Sequence, residues 1–252
     1  MYDDLIRDEK LKDQRNRFIN KFFVNLLKKK LSKHFQQVYV FGLDQAIDSC
    51  SVRGAVFAPN HVAYWDSALF ALLSSQISNR AFIFMSAENL KKYSFLRWCG
   101  VLPINLKKPR YAVQQIQKLH HLLDVDEPTQ FWIFPQGKQQ PSHIRPLCFK
   151  KGVGIMSNSL NIPIIPLSIQ YTYQDDFEKP FAYVNFNRPL SPSAGIIDIE
   201  NAVHQGLYQI DEHILGIKKL DYIESFTNRS TKPIDIPSKI LSFIADVFFR
   251  FT

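Results

Sequence analysis

The stretch Ala55-Val56-Phe57-Ala58-Pro59-Asn60-His61 joins an apolar run, a proline and two polar residues in immediate succession. An apolar run that ends in proline predicts a buried strand followed by a turn. Apolar residues at helical spacing begin soon afterwards, in Asp66-Ser67-Ala68-Leu69-Phe70-Ala71-Leu72-Leu73. Asp66 suits the N-cap or the first turn of that helix. The segment therefore predicts a strand, a turn that contains His61, and a helix that starts near Asp66.

His61 and Asp66 can act as a pair only in this arrangement. In one continuous helix, residues five positions apart point about 140° away from each other. If His61 lies in the turn, Asp66 can reach back from the helix and accept a hydrogen bond from one imidazole nitrogen. The other nitrogen is then free to act as a base, as in a hydrolase triad whose serine is replaced by a substrate hydroxyl. We therefore predict that His61 and Asp66 are catalytic.

The five-residue spacing is not specific by itself, because His121 and Asp126 share it. The second pair falls at the end of a predicted helix, just before Glu127-Pro128, and no strand precedes it. A surface helix terminus explains that pair. The strand and helix on either side of the first pair carry the catalytic prediction.

The segments around this stretch alternate between strand and helix signals. Short β-prone runs predict strands at 38–42, 55–58, 81–85, 131–134, 164–170 and 182–186. Helical patterns occur at 66–77, 111–123 and 152–160. Strands separated by helices favour a single layered α/β domain with a mostly parallel central sheet flanked by helices. We assign this domain to residues 36–230.

Both ends of the chain carry amphipathic segments, at 1–35 and 231–252. The first contains a predicted helix at 18–35 with phenylalanines and leucines on one side and lysines around them. Such a helix suits an anionic bilayer surface, although it could equally pack on the domain with a solvated basic face. We expect a peripheral or monotopic protein at the cytoplasmic face of a membrane. The sequence has no run of about 18 uninterrupted apolar residues, so no transmembrane helix is expected.

The net charge of +8 favours anionic partners such as lipid headgroups, nucleic acid or a phosphorylated substrate. No zinc-finger spacing or recognition motif for nucleic acid is present, so nucleic acid is not an expected partner. Cys50, Cys99 and Cys148 are far apart and odd in number, which predicts reduced thiols and no metal-ligand pair. We expect neither a metal nor another bound cofactor.

Four blocks of the chain resemble the lysophospholipid acyltransferase family, which includes bacterial 1-acylglycerol-3-phosphate acyltransferases. Asn60-His61 with Asp66 matches the first block, and Gly100 to Asn105 resembles the second. The third and fourth are Phe134-Pro135-Gln136-Gly137 and Pro163-Ile164-Ile165-Pro166-Leu167, with Phe149-Lys150-Lys151-Gly152 before the latter. The order and approximate spacing of the blocks hold from about residue 41 to residue 189.

The resemblance implies an O-acyltransferase. His61 would remove a proton from an acceptor hydroxyl, which attacks the thioester of a fatty acyl donor, while Asp66 holds the imidazole. The donor would be acyl-CoA or an acyl-carrier protein, used as a co-substrate, and the acceptor would be a lipid. Asn60, Phe134 and Pro135 would support the site.

Two departures from the family pattern concern the acceptor. In the third block Gln136 replaces the usual Glu, and Lys138 and Gln139 replace Thr and Arg. In the second block the usual Arg position falls near Leu106. Cations elsewhere, including Lys108, Lys150 and Lys151, could supply the missing charge. Acceptor-binding residues are predicted to be Lys107, Gln136, Gly137, Lys138 and Arg145.

Three functions remain open at this point. The acceptor can be a lysophospholipid such as 1-acylglycerol-3-phosphate, or it can lack a phosphate, as a glycolipid or glycosylated terpenoid does, with the Gln136 amide binding a sugar hydroxyl. A non-catalytic membrane lipid-binding protein is the alternative from another class. The intact Asn60, His61 and Asp66 set favours the enzyme.

Overall fold

The computed structural model describes residues 11–105, 107–123, 126–174, 177–217 and 220–225. The N-terminal ten residues, Leu106 and the predicted C-terminal amphipathic segment 231–252 lie outside these ranges.

The centre of the protein is an eight-stranded sheet. Its strands are β1 (Gln37–Phe41), β2 (Gly54–Pro59), β3 (Ala81–Ser86), β4 (Val101–Ile104), β5 (Thr129–Trp132), β6 (Ile164–Thr172), β7 (Phe181–Phe186) and β8 (Tyr222–Ser225). Their order across the sheet is β4-β3-β5-β2-β6-β7-β1-β8. The strands from β4 to β6 are parallel. β7 is antiparallel to β6, β1 is parallel to β7, and β8 is antiparallel to β1.

Helices cover both faces of the sheet. The α-helices are α1 (Arg17–His34), α2 (Leu43–Cys50), α3 (Trp65–Ile77), α4 (Ala87–Lys92), α5 (Pro109–Gln117), α6 (Gly152–Leu160) and α7 (Ile196–Ile214). Two short 3₁₀ helices lie at Ser94–Cys99 and Leu119–Leu122. Connections between parallel strands commonly run through helices, which explains why both faces are covered.

Alternating side chains of β2 divide the core into two halves. Ala55 and Phe57 pack with α1, α2 and α3 on one face, whereas Val56 and Ala58 pack with α5, α6 and α7 on the other. Every residue of β2 is buried, as expected for a central parallel strand. The turn that contains His61 follows this strand directly, so a fully buried strand holds the turn in place.

Helix α1 packs on the domain and also leaves aromatic side chains exposed. The Asn16 side chain caps its start by accepting from the backbone N–H groups of Phe18 and Ile19 at 3.0 and 3.1 Å. Phe23, Leu27 and other apolar residues of the helix are buried against the domain. Phe18 and Phe22 are 86% and 45% exposed. The two interpretations of this helix made from sequence are therefore compatible.

The predicted α/β class and mostly parallel sheet are confirmed. Helix 152–160 was predicted with its observed limits, and the six predicted strands agree with observed strands within two residues at each end. Predicted helix 111–123 starts two residues earlier and gives way to the 3₁₀ helix after Gln117. Predicted strand 131–134 was shifted: β5 ends at Trp132, and Phe134 lies in the loop beyond it. Helices α2, α4 and α7 were not predicted.

Candidate active site

The predicted catalytic residues lie at the carboxyl edge of the parallel strands. His61 follows β2, Phe134 follows β5, and Tyr171 occupies the end of β6. These three strands are neighbours and parallel, so their ends meet. Open α/β sheets usually bind their ligands at this edge.

The structure brings His61 and Asp66 into direct contact. The imidazole Nδ1 lies 2.7 Å from the Asp66 Oδ2, and the carboxylate side chain has no exposed surface. His61 keeps 17% of its side chain exposed. Its Nε2 has no hydrogen-bond partner among the described residues. This nitrogen is the one that can exchange a proton with a ligand.

The carboxylate of Asp66 accepts three further hydrogen bonds. Its Oδ2 accepts from the backbone N–H groups of Val62 and Ala63 at 2.7 and 3.0 Å. Its Oδ1 accepts from the hydroxyl of Tyr171 at 2.6 Å. A buried carboxylate is costly unless donors satisfy its oxygens, and here four donors do so. Asp66 lies in the first turn of α3 and reaches back into the turn, as the sequence predicted.

Asn60 anchors the turn to β6. Its side-chain amide donates to the carbonyl of Ile169 at 3.0 Å, and its Oδ1 accepts from the Ile169 N–H at 2.7 Å. Asn60 is only 2% exposed, so both bonds form away from water. These two hydrogen bonds continue the pairing of β2 with β6 beyond Pro59, where β2 ends. Asn60 therefore fixes the direction in which His61 leaves the sheet.

The Phe134 loop supports His61 from the other side. The Phe134 ring stacks on the imidazole with 4.1 Å between ring centroids and 22° between planes. The side chain of Gln136 is buried, and its Oε1 accepts from the backbone N–H of His61. Its Nε2 donates to the Oε1 of Gln140 at 2.7 Å, and the N–H of Gln140 donates to the carbonyl of His61. Both groups of the Gln136 amide are thus engaged in holding the turn that contains His61.

Gly137 allows a lysine to cover the loop. Its φ of +70° lies in the left-handed region, and a Cβ at this position would lie 2.8 Å from the Lys150 Nζ. The N–H of Gly137 donates to the carbonyl of Phe134, which closes a tight turn. Pro135 accepts from the Lys150 N–H at 2.9 Å. The loop after β5 and the segment before α6 are therefore held together beside His61.

An apolar cavity of about 870 Å³ opens at His61. Its walls include Phe23, Phe70, Leu96 and Val101 on one face of the sheet and Ile116 and Val153 on the other. Cys99 also lines it, and burial raises the pKa of this thiol to about 12. Cys99 is consequently a neutral wall residue and not a nucleophile. The cavity is large enough for extended hydrocarbon next to the histidine.

The mouth of the cavity is positively charged. Lys138, Lys150 and Lys151 line it, and no Asp or Glu is among the described residues that do so. Two predicted acceptor-binding cations lie elsewhere. Lys107 is exposed and pairs with Glu88, and Arg145 donates to backbone carbonyls of its own loop. Neither lines the cavity.

Sequence reasoning missed Tyr171 and its stack on Phe35. The Tyr171 ring stacks on Phe35 at 5.4 Å and 21°, and Phe35 meets the Trp65 ring edge-on at 5.6 Å. His34, in the last turn of α1, stacks on Trp65 at 4.2 Å. Tyr171 follows the fourth block on the same strand, but its partner Asp66 is 105 positions away in the chain. No local pattern signals a contact of that kind.

His121, the histidine of the second His-Asp pair, has a structural role. The ring nitrogens of His121 lie 2.7 and 2.6 Å from the backbone carbonyl oxygens of Lys118 and Leu11. His121 thus links the 3₁₀ helix to the segment before α1. It does not line the cavity. Across the described residues, no group of three or more His, Cys, Asp or Glu side chains could hold a metal ion.

The site thus consists of a buried carboxylate, a histidine oriented by it and an adjoining apolar cavity on a mostly parallel α/β sheet. A sequence model described as "Acyltransferase" matches residues 38–170, more than half of the chain. The chain therefore belongs to the acyltransferase family, as the four blocks predicted.

Comparison with solved structures identifies the same fold. The crystal structure of the 1-acyl-sn-glycerophosphate (LPA) acyltransferase PlsC from Thermotoga maritima aligns with a TM-score of 0.53. The alignment covers 78% of this chain and 83% of that chain, at 20% sequence identity. At this identity the similarity shows a shared fold. Comparison with curated protein sequences gives no significant match.

The contacts of Gln136 predict how two substitutions at this position will behave. In Gln136→Glu, a carboxylate oxygen can still accept from the His61 N–H, and the Gln140 amide can rotate to donate to the other oxygen. We expect acyl transfer within about ten-fold of wild type. Gln136→Leu leaves the His61 N–H buried without an acceptor, which costs about 1–3 kcal/mol. We expect that variant to lose both stability and activity, as measured by urea unfolding and initial rates.

The two variants together test whether Gln136 acts by holding the turn. Equal loss of activity in Gln136→Glu and Gln136→Leu, with unchanged unfolding, would show instead that the amide itself is needed by a ligand.

Proposed function

We propose that this acyltransferase moves a fatty acyl group from a thioester donor to a hydroxyl of a lysophospholipid-type acceptor at a membrane surface. The observation that carries the proposal is the contact between His61 and Asp66 at the mouth of the apolar cavity. A histidine with one nitrogen held by a carboxylate is a general base whose other nitrogen serves the substrate. The cavity beside it suits the hydrocarbon of the acyl group.

The proposed reaction is one nucleophilic displacement. The acceptor hydroxyl gives its proton to the His61 Nε2, and its oxygen attacks the carbonyl carbon of the thioester. The carbon–sulfur bond then breaks, an oxygen ester remains, and the proton passes from His61 to the departing thiolate. Asp66 stabilises the imidazolium formed in between, since its Oδ2 is already bonded to Nδ1. The donor is acyl-CoA or an acyl-carrier protein, and the proposal requires no further cofactor.

The walls of the cavity favour a site that two lipid substrates share. Its walls come from both halves of the core, with Phe23 and Phe70 on one face of the sheet and Ile116 and Val153 on the other. His61 lies where these walls meet the surface. Hydrocarbon from an acyl donor and from an acyl-bearing acceptor can thus approach the same imidazole.

The charge at the mouth favours a phosphate on one of the substrates. Lys138, Lys150 and Lys151 make no ion pair with a described acidic residue, and unpaired ammonium groups bind phosphate as point charges. Lys150 lies over Gly137, beside the loop that carries Phe134. This arrangement favours 1-acylglycerol-3-phosphate-like acceptors over glycolipids. The Gln136 amide is occupied by His61 and Gln140, which weakens the argument that it binds a sugar.

Exposed aromatic side chains near the start of α1 support attachment to a membrane. Phe18 is 86% exposed, and Trp98 is 48% exposed. The N–H of Asn16 donates to the carbonyl of Trp98, so Trp98 lies beside the start of the helix. Aromatic residues next to lysines such as Lys21 suit the interface of an anionic bilayer, here proposed at its cytoplasmic face. The described helices include none that is long and apolar enough to cross a membrane.

Replacement of His61 tests the reaction. We expect His61→Ala to lower acyl transfer by at least about 10²-fold, because the general base is lost. The measurement is the initial rate with a radiolabelled acyl-CoA and lysophosphatidate, with circular dichroism to verify folding. His121→Ala is the matched control, since it removes the other histidine of the same spacing and should retain transfer. Full activity of a folded His61→Ala protein would contradict the mechanism, and lipid binding without transfer by wild type would favour the non-catalytic alternative.

Lysine substitution tests the acceptor. We expect Lys150→Ala to raise the KM for lysophosphatidate by about ten-fold, since a charge-assisted contact is worth about 1.5–3 kcal/mol. The KM for an uncharged glycolipid acceptor should not change. Lys118→Ala, an exposed lysine outside the cavity, controls for net charge. Faster transfer to the glycolipid by wild type would assign the non-phosphate acceptor instead.

Membrane attachment is tested by sedimentation with phosphatidylglycerol vesicles. We expect the double variant Phe18→Ser, Phe22→Ser to lose most of its binding, because about 1.5–3 kcal/mol of apolar burial is lost for each side chain. Ile197→Ser removes an apolar residue of α7 that is 71% exposed, and this variant should bind like wild type. Unchanged binding of the double variant would show that α1 is not the contact surface.

A further inference from the structure

Tyr171 contacts the catalytic carboxylate from the side opposite to His61. Its hydroxyl donates to the Asp66 Oδ1 at 2.6 Å, while His61 occupies Oδ2 at 2.7 Å. Tyr171 does not line the cavity, so it is not placed to touch a substrate. From the geometry we infer that Tyr171 is a positioning residue, which holds the Asp66 carboxylate in the orientation that His61 requires. This inference rests on the proposed function.

Without the contact to Tyr171, one oxygen of the buried Asp66 carboxylate would have no donor among the described residues. The other three donors, at Val62, Ala63 and His61, all bond to Oδ2. Without Tyr171, Oδ1 would be a buried carboxylate oxygen with no donor among the described residues, and turning the carboxylate towards another donor would become favourable. The bond to Oδ1 therefore restrains the plane of the carboxylate. The plane of the carboxylate sets the direction in which the Oδ2 lone pair points to Nδ1. It thereby sets the orientation of the His61 ring.

The tyrosine itself is held firmly and remains a donor. Its ring stacks on the buried Phe35, and its backbone belongs to β6, which pairs with β2 and β7. Burial raises the pKa of Tyr171 well above its ordinary value, and the charge of Asp66 raises it further. The hydroxyl therefore keeps its proton at neutral pH and cannot become a competing anion.

β6 supports the catalytic turn at two points. Ile169 bonds to Asn60 through both of its backbone groups, and Tyr171 bonds to Asp66 two residues later. Both contacts come from one strand and from residues two apart, so the distance between them is set by the strand itself. His61 lies between Asn60 and Asp66 in the chain. The loop that contains His61 is thus held to β6 on both sides, by Ile169 at Asn60 and by the Tyr171 hydroxyl at Asp66.

Tyr171→Phe tests the inference, because it removes the hydroxyl and keeps the stacked ring. We expect kcat to fall by about ten-fold, as a hydrogen bond to a charged group is lost, with KM for both substrates within two-fold of wild type.

Two controls separate positioning from general stability. Tyr183→Phe removes the hydroxyl of a buried tyrosine that accepts from Gln174 at 3.0 Å, and Tyr173→Phe removes that of an exposed one. Both should retain wild-type kcat and KM. Melting temperatures of all three variants show whether a rate change follows unfolding.

A double-mutant cycle shows whether Tyr171 acts through Asp66. In an Asp66→Asn background, measured in single-turnover reactions, Tyr171→Phe should cause less than a two-fold further loss. An unchanged kcat in Tyr171→Phe, or the same ten-fold loss in both backgrounds, would overturn the inference while wild-type transfer leaves the proposed function standing. No transfer by wild type would overturn both.

Discussion

The buried carboxylate of Asp66 constrains the whole site. A charge without exposed surface is tolerated in a folded protein only when donors surround it. Two of its donors are backbone N–H groups in the turn, one is the imidazole of His61, and one is a tyrosine on another strand. Moving any of these groups would leave charge unsatisfied in the interior. The turn after β2, the start of α3 and the end of β6 are therefore held in one relative position.

The sheet provides the rigidity that this arrangement needs. β2 is buried along its whole length and lies between β5 and β6. The residues after β2 bond to those same two neighbours. Asn60 bonds to β6, and the N–H of His61 donates to Gln136 in the loop after β5. His61 thus leaves a central strand and is supported by both adjacent ones. A catalytic histidine in a freely moving loop would spend little time in a reactive orientation.

The parts of this structure that depend on nearby residues could be predicted from sequence. The strand, turn and helix around His61 could be found because apolar periodicity and the proline signal them within about 20 residues. The contact of Tyr171 with Asp66 spans 105 positions and has no local signal. Gln136 was predicted to bind the acceptor, since its family position suggested it, but the fold uses both groups of its amide internally. The places of Lys107 and Arg145 depended on loop paths that periodicity does not determine.

The replacement of a family glutamate by Gln136 changes the electrostatics of the cavity mouth. The amide supplies the acceptor that the His61 N–H requires without adding a negative charge beside the imidazole. Asp66, the carboxylate nearest to the base, has no exposed surface, and its charge is spread over four hydrogen bonds. Among the described residues, the charged side chains that line the cavity are therefore lysines. A cleft lined by one sign of charge attracts ligands of the opposite sign, so the proposed anionic acceptor would be drawn towards His61.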